Sequence, residues 1–205
     1  MPPLHSRQLI QQYGIISDQV DAAELAVVLD ELQRSLEREG AVVEFGCYVG
    51  TTSLYIRRVL DYYRDTREFH VYDSFEGLPP KLPQDQSALG MQFKEGELLA
   101  TKKQLMQNFK TARLSLPHIH KGWFNQLEAS EVPAPIAFAF LDGDYYDSIK
   151  LSLQLIEPKL ASGAIIVVDD YANGALPGAA RAVDEWCGKY NYSVRTVHSL
   201  AVIYC

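Results

Sequence analysis

Four apolar runs along the chain each carry a carboxylate at or near their end, and segments of helical spacing separate most of them. The first is Ala41-Val-Val-Glu-Phe, which leads into Gly46 and Gly50. Thr51-Thr-Ser-Leu-Tyr-Ile-Arg-Arg-Val-Leu follows and predicts a helix to about Tyr63. The second run is Glu68–Asp73. The third, Ala134–Asp142, is nearly continuous, which predicts a central parallel strand covered on both faces. The fourth, Ala164–Asp170, repeats that pattern. His118–Gly122 reads as a shorter strand. Tyr192–Val197 and Leu200–Tyr204 are close enough for a hairpin. Strand, helix, strand in this order predicts right-handed parallel crossovers. The expected fold is therefore α/β and doubly wound, a mostly parallel seven-stranded sheet with a C-terminal antiparallel hairpin.

The remaining segments divide into helices and loops. Residues 1–17 read as an irregular arm whose Tyr13 and Gly14-Ile-Ile suit either folding over a site or packing in an interface, including that of a homo-oligomer. A helix is expected from Asp18 as its cap, with Val20, Ala23, Leu25, Val27, Val28, Leu32 and Leu36 on one face and Gly40 at its C-terminal end. Residues 74–92 hold Pro79, Pro80, Pro83, Gly77 and Gly90, which oppose regular structure. Residues 94–113 look helical, with Leu98, Leu99, Leu105, Met106 and Phe109 as a sparse apolar face. We expect 74–113 to act as a lid on the substrate side. A last helix is expected over about Gly178–Lys189, with Trp186 on its apolar side.

Length and charge then narrow the class. A chain of 205 residues suits one domain over 1–205. A net charge of −7 argues against nucleic acid as a partner. No apolar run reaches the roughly 18 residues of a membrane span. Met-Pro-Pro-Leu-His-Ser-Arg-Gln has no signal-like apolar region, and Cys47, Cys187 and Cys205 show no paired spacing. We therefore expect reduced thiols in a cytoplasmic protein.

The glycine turn at 46–50 joins a strand end to a helix start, the place where α/β proteins hold nucleotide-like ligands. A dinucleotide fingerprint needs a second glycine where this chain has Tyr48, and a phenol there would obstruct a pyrophosphate. That argues against a nicotinamide oxidoreductase. Asp73, ending the second strand, can accept both hydroxyls of a ribose. Trp123 and Phe124 suit either an adenine wall or core packing. His118 and His120 alternate on their strand and can share a face, which alone does not make a metal site. The acids Glu44, Asp73, Asp142, Asp144, Asp169 and Asp170 all arrive at the carboxyl edge of the sheet. Helix capping explains one acid per strand, but not the doublet Asp169-Asp170 or the triplet Asp142-Gly-Asp144. A hard divalent cation such as Mg2+ relieves their repulsion, with Asp142, Asp169 and Asp170 as the expected ligands.

Glu44-x-Gly46-x-x-x-Gly50 resembles the first motif of class I S-adenosylmethionine-dependent methyltransferases. That resemblance implies that Glu44 acts near the ammonium of the cofactor's methionine part. The segments Leu141-Asp-Gly-Asp-Tyr-Tyr-Asp-Ser148, Val168-Asp-Asp-Tyr171 and Tyr72-Asp-Ser-Phe-Glu-Gly-Leu78 resemble the macrocin-type sugar O-methyltransferases over about residues 41 to 190. The resemblance implies Asp142, Asp169 and Asp170 as Mg2+ ligands and Asp144 as general base, with Asp142 shared between catalysis and cofactor. Implied cofactor contacts are Glu44, Gly46, Tyr48, Gly50, Thr51, Asp73, Ser74, Gly122, Trp123 and Asp142. The implied partner is a small-molecule hydroxyl acceptor, a sugar or a glycosylated natural product. Macrocin-type enzymes have a longer N-terminal leader, so the acceptor is not carried over with the motif. The acid set is also similar to that of catechol O-methyltransferase, which has a lysine where this chain has Tyr145. A phenol-type O-methyltransferase and a non-catalytic cofactor-binding protein are the alternatives.

Overall fold

A computed structural model describes residues 4–89 and 93–205. Gly90 and the first residues of the N-terminal arm lie outside the described residues. Helix α1 spans Ser6–Tyr13 and α2 spans Ala22–Ser35. Then follow β1 Ala41–Phe45, α3 Thr51–Tyr63, β2 Phe69–Asp73, α4 Lys102–Ala112 and β3 His118–Lys121. The second half comprises β4 Ile136–Leu141, α5 Tyr146–Ile156, β5 Leu160–Val168, α6 Pro177–Tyr190, β6 Val194–Val197 and β7 Leu200–Tyr204.

The seven strands form one sheet in the order β3-β2-β1-β4-β5-β7-β6. Strands β1 to β5 pair in parallel, β7 is antiparallel to β5, and β6 is antiparallel to β7. Each central strand divides its side chains between two cores. Val42, Val71, Phe138 and Val167 pack under α1 to α4, while Val43, Tyr72, Ala139 and Ile166 pack under α5 and α6. Alternation across a strand buried on both faces produces that split. The chain leaves β1 toward β2 on one side and returns to β4 on the other. A crevice therefore opens between the carboxyl ends of β1 and β4.

Four expectations change. The N-terminal arm is not irregular throughout: Leu9 and Ile10 are buried against α2 and hold eight residues as α1. Asp21, not Asp18, caps α2, accepting from Ala23 N at 2.7 Å and Glu24 N at 3.1 Å. Gly40 does not end that helix, whose last residue is Ser35 with Leu36 as its C-cap. With φ at 135°, Gly40 instead lets the start of β1 pass against the backbone of Pro135 and Ala137, where a Cβ would collide.

The expected lid also divides in two. Only Lys102–Ala112 of residues 94–113 is helical, and Leu98 and Leu99 precede the helix. Leu105 and Phe109 sit in the same core as α3, so α4 is the crossover from β2 to β3. Leu105 also fills the space a side chain at Gly50 would need. Truncating a core leucine costs about 2–5 kcal/mol, whereas a lid residue costs far less. Leu105→Ala is therefore expected to lower unfolding free energy in urea by about 3 kcal/mol. A loss under about 0.5 kcal/mol would return α4 to the lid.

Candidate active site

A cleft of about 910 Å³ occupies the crevice at the carboxyl ends of β1, β2, β4 and β5. The turn after β1 forms its floor. Gly46 has φ 84°, and a Cβ there would run into the carbonyl of Asp142. The turn after β1 can thus lie against the turn after β4 only with glycine at this position. Asp73 ties the same turn from the other side. Its Oδ2 accepts from Cys47 N at 2.9 Å and Tyr48 N at 3.2 Å, and its Oδ1 accepts from Phe75 N at 2.7 Å.

Glu44 lies beneath this turn, buried, and accepts a 2.5 Å hydrogen bond from Ser53 Oγ. Burial pushes its carboxyl up to about 8, and the Asp73 charge adds to the shift. Thr51 opens α3 at the cleft wall. Its Oγ1 is buried with no hydrogen-bond partner among the described residues. A buried hydroxyl left without a partner is costly, so this atom suits a polar group of a ligand. The Thr51 hydroxyl and the carboxylates of Glu44 and Asp73 fit a ligand with hydroxyls and an amine, and the α3 N-terminus favours an anionic group on it.

Asp142, Asp144, Asp169 and Asp170 line the neighbouring part of the cleft. Carboxylate oxygens of Asp142, Asp144 and Asp170 all lie within 4.8 Å of one another. Asp169 stands just outside that trio, and its Oδ1 accepts from Asp170 N at 2.8 Å. Asp144 and Asp170 adopt left-handed backbone, φ 61° and 59°, which aspartate tolerates better than most residues. Desolvation holds the carboxyls of Asp142 and Asp144 far above their usual range, and each is raised further by its acidic neighbours. Asp169 is pushed up to about 7 by burial and by Asp170. Oxygen donors this crowded fit a hard divalent cation.

The structure thus gathers Glu44, Gly46, Tyr48, Thr51, Asp73, Ser74, Trp123 and the four aspartates around one cleft. Gly50 starts α3 behind it. Gly122 is not part of the lining; its N–H continues the β3 ladder to Asp73 O at 3.0 Å. Several cleft residues were not expected. Glu24 of α2 accepts from Ser199 N at 2.9 Å and Ser199 Oγ at 2.5 Å, and its charge raises Asp169 and Asp170. Asn173 donates to Asp170 Oδ1 at 2.8 Å, and its place three residues past the doublet was the available signal. Asp85, 1% exposed, accepts from Tyr146 N at 2.7 Å and pins the segment after β2 to the start of α5. Leu78, Phe93 and Leu98 from that segment line the outer cleft.

The fold is that of a Rossmann-like methyltransferase. The chain belongs to the family described as "Macrocin-O-methyltransferase (TylF)", which it matches over residues 18–203. It is 31% identical to the 8-demethyl-8-(2,3-dimethoxy-alpha-L-rhamnosyl)-tetracenomycin-C 4'-O-methyltransferase of Streptomyces olivaceus over 80% of this chain and 67% of that protein. It is 28% identical to the demethyldecarbamoylnovobiocin O-methyltransferase of Streptomyces niveus over 74% of this chain and 60% of that protein. The chain thus spans about two thirds or less of the length of these two relatives. The solved structure of the O-methyltransferase NovP superposes with a TM-score of 0.77, at 23% identity, over 90% of this chain and 80% of that one. No helix among the described residues is long and apolar enough to cross a membrane.

The raised carboxyls give stability a definite pH dependence. In the unfolded chain these groups lose their protons near pH 4. In the folded chain Asp169 keeps its proton to about 7 and Glu44 to about 8. Between those limits the folded state holds more protons, so stability falls as pH rises. The midpoint of thermal unfolding without divalent cation is expected to drop from about pH 5 to about pH 8, and Mg2+ is expected to flatten that slope. A midpoint that rises over this range, or a slope Mg2+ leaves untouched, contradicts the assigned environments.

Proposed function

We propose that this chain is an S-adenosylmethionine-dependent, Mg2+-assisted O-methyltransferase acting on a hydroxyl of a sugar or glycosylated natural product. The observation behind it is the meeting, in one cleft, of the glycine turn over Glu44 with the four aspartates from β4 and β5. When bound, the cofactor supplies a methyl group on a sulfonium and Mg2+ lowers the pKa of the acceptor hydroxyl. The names of the relatives support a glycosylated acceptor.

The residues divide the work. Glu44 would stand as a carboxylate against the cationic amine of the cofactor's methionine end, whose charge opposes the burial that raises its pKa. Asp73 holds the turn through backbone N–H groups and keeps lone pairs for ribose hydroxyls. Thr51 offers its unpartnered hydroxyl. Trp123 and Phe124 wall the cleft on the far side, with Phe124 set edge-on against Phe45 at 5.3 Å. Asp142, Asp169 and Asp170 would hold the cation. Asp144, within 4.8 Å of Asp142 and Asp170, takes the proton of the acceptor hydroxyl. Desolvation and the acidic neighbours raise the Asp144 carboxyl without a cation, and a cation on those neighbours would restore the carboxylate that accepts a proton. The segment pinned by Asp85 closes the acceptor side with Leu78, Phe93 and Leu98. In the catechol-type alternative a lysine stands at position 145. Here Tyr145 is buried, and its hydroxyl donates to Phe93 O at 3.0 Å.

Asp144→Asn is expected to keep S-adenosylmethionine affinity within about twofold in calorimetry and to lose about 10²-fold or more in turnover. Turnover equal to the parent removes Asp144 from the base role. Asp169→Asn is expected to raise the Mg2+ concentration for half-maximal activity at least about tenfold. If Asp144→Asn alone shifts the Mg2+ requirement, the two residues exchange roles.

A further inference from the structure

Three of the five histidines of the chain meet on β2 and β3, away from the cleft. His70 pairs with His118 across the parallel ladder, and Tyr72 with His120. The period of two places all three imidazoles on one face. His118 stacks on His70 with centroids 4.6 Å apart, and His120 stacks on Tyr72 at 4.5 Å. Glu68, just ahead of β2, and Glu131, before β4, close the cluster at its two ends. His70 lies three residues ahead of Asp73, or about 10 Å along the strand from the cleft.

His70 Nδ1 faces His120 Nε2 at 3.0 Å, and His70 Nε2 faces Glu68 Oε2 at 3.3 Å. His120 Nδ1 lies 3.8 Å from Glu131 Oε1, an ion-pair distance beyond hydrogen-bond reach. With the His70 proton on Nδ1 donated to His120, the Nε2 lone pair of His70 is aimed to the Glu68 side, where a cation would take it together with the carboxylate. Ligand atoms of Glu68, His70 and His118 already lie within 4.8 Å of one another.

We propose that Glu68, His70 and His118 form a second metal site, taking a borderline transition ion such as Zn2+. Two imidazoles and one carboxylate suit that class of ion and not Mg2+. Binding draws the donors in to the roughly 3.3 Å spacing of a tetrahedral site with bonds of about 2.0–2.1 Å. Glu68 and His118 are exposed, so both turn inward without displacing packed neighbours. His70 is buried and held in line by His120 and, behind it, Glu131. Such a chain of outer partners commonly fixes a ligating imidazole. The ion would join the start of β2 to β3, an edge strand of the sheet.

The test is a titration of Zn2+ into the full chain in the presence of excess Mg2+, followed by nitrogen-15 spectra of the histidine rings. His5 and His198 are exposed and stand outside the cluster, so they serve as internal controls. At one equivalent, the His70 and His118 ring signals are expected to shift while those of His5 and His198 stay in place. His118→Ala, an exposed position, is expected to abolish the His70 shift and weaken Zn2+ binding at least about tenfold by calorimetry. His120→Asn is expected to weaken it by about 10- to 100-fold. The proposal fails if His70 is unmoved at one equivalent, if all five rings respond together only at excess Zn2+, or if His118→Ala binds like the parent.

Discussion

Mutual repulsion among carboxylates at the carboxyl edge of the sheet is the constraint around which this protein is built. Glu44, Asp73, Asp142, Asp144, Asp169 and Asp170 reach one cleft because four parallel strands end there. Glu24 adds a further acid from α2. Among the described residues no Lys or Arg lines the cleft, so the charge is relieved by protons or by a cation from outside the chain. The raised carboxyls of Asp142, Asp144, Asp169 and Glu44 express that imbalance. A core of this size sustains it because the strands themselves are buried on both faces.

The geometry that brings the acids together is carried by few backbone positions. Gly46 lets the turn after β1 touch the carbonyl of Asp142, and Gly40 lets the start of β1 pass beside Pro135. Asp144 and Asp170 accept left-handed backbone immediately after their strands. Strain of this kind costs on the order of 1–3 kcal/mol per residue and clusters where function demands it. Asp73 is unusual in the set, since it spends hydrogen bonds on the turn and thereby fixes the cleft floor. Asp85 does the equivalent for the acceptor side through Tyr146 N.

Much of this was legible in the sequence, because an uninterrupted apolar run that ends in an acid suits a buried parallel strand and little else. Ile136–Leu141 and the stretch before Asp169 read as such strands from their residues alone. The less legible parts depend on tertiary contact. Ser6–Tyr13 is polar enough to read as an arm, and only the docking of Leu9 and Ile10 makes it a helix. Asp18 and Asp21 are both suitable caps by type, and the orientation of Leu25 toward the core decides between them. Leu105 looks like one of several sparse apolar residues until α4 is seen to cross between β2 and β3. Glu24, Ser199 and His70 have ordinary local patterns, and their partners lie far along the chain.

We propose that the cleft acids serve a cationic cofactor and a divalent ion together. The most direct measurement is calorimetric titration of S-adenosylmethionine into the protein with Mg2+ and again with chelator, followed by a vicinal-diol glycoside in each. Stoichiometric cofactor binding is expected in both conditions, and acceptor binding only with Mg2+. Absence of cofactor binding in both conditions, or acceptor binding indifferent to Mg2+, would contradict the proposal.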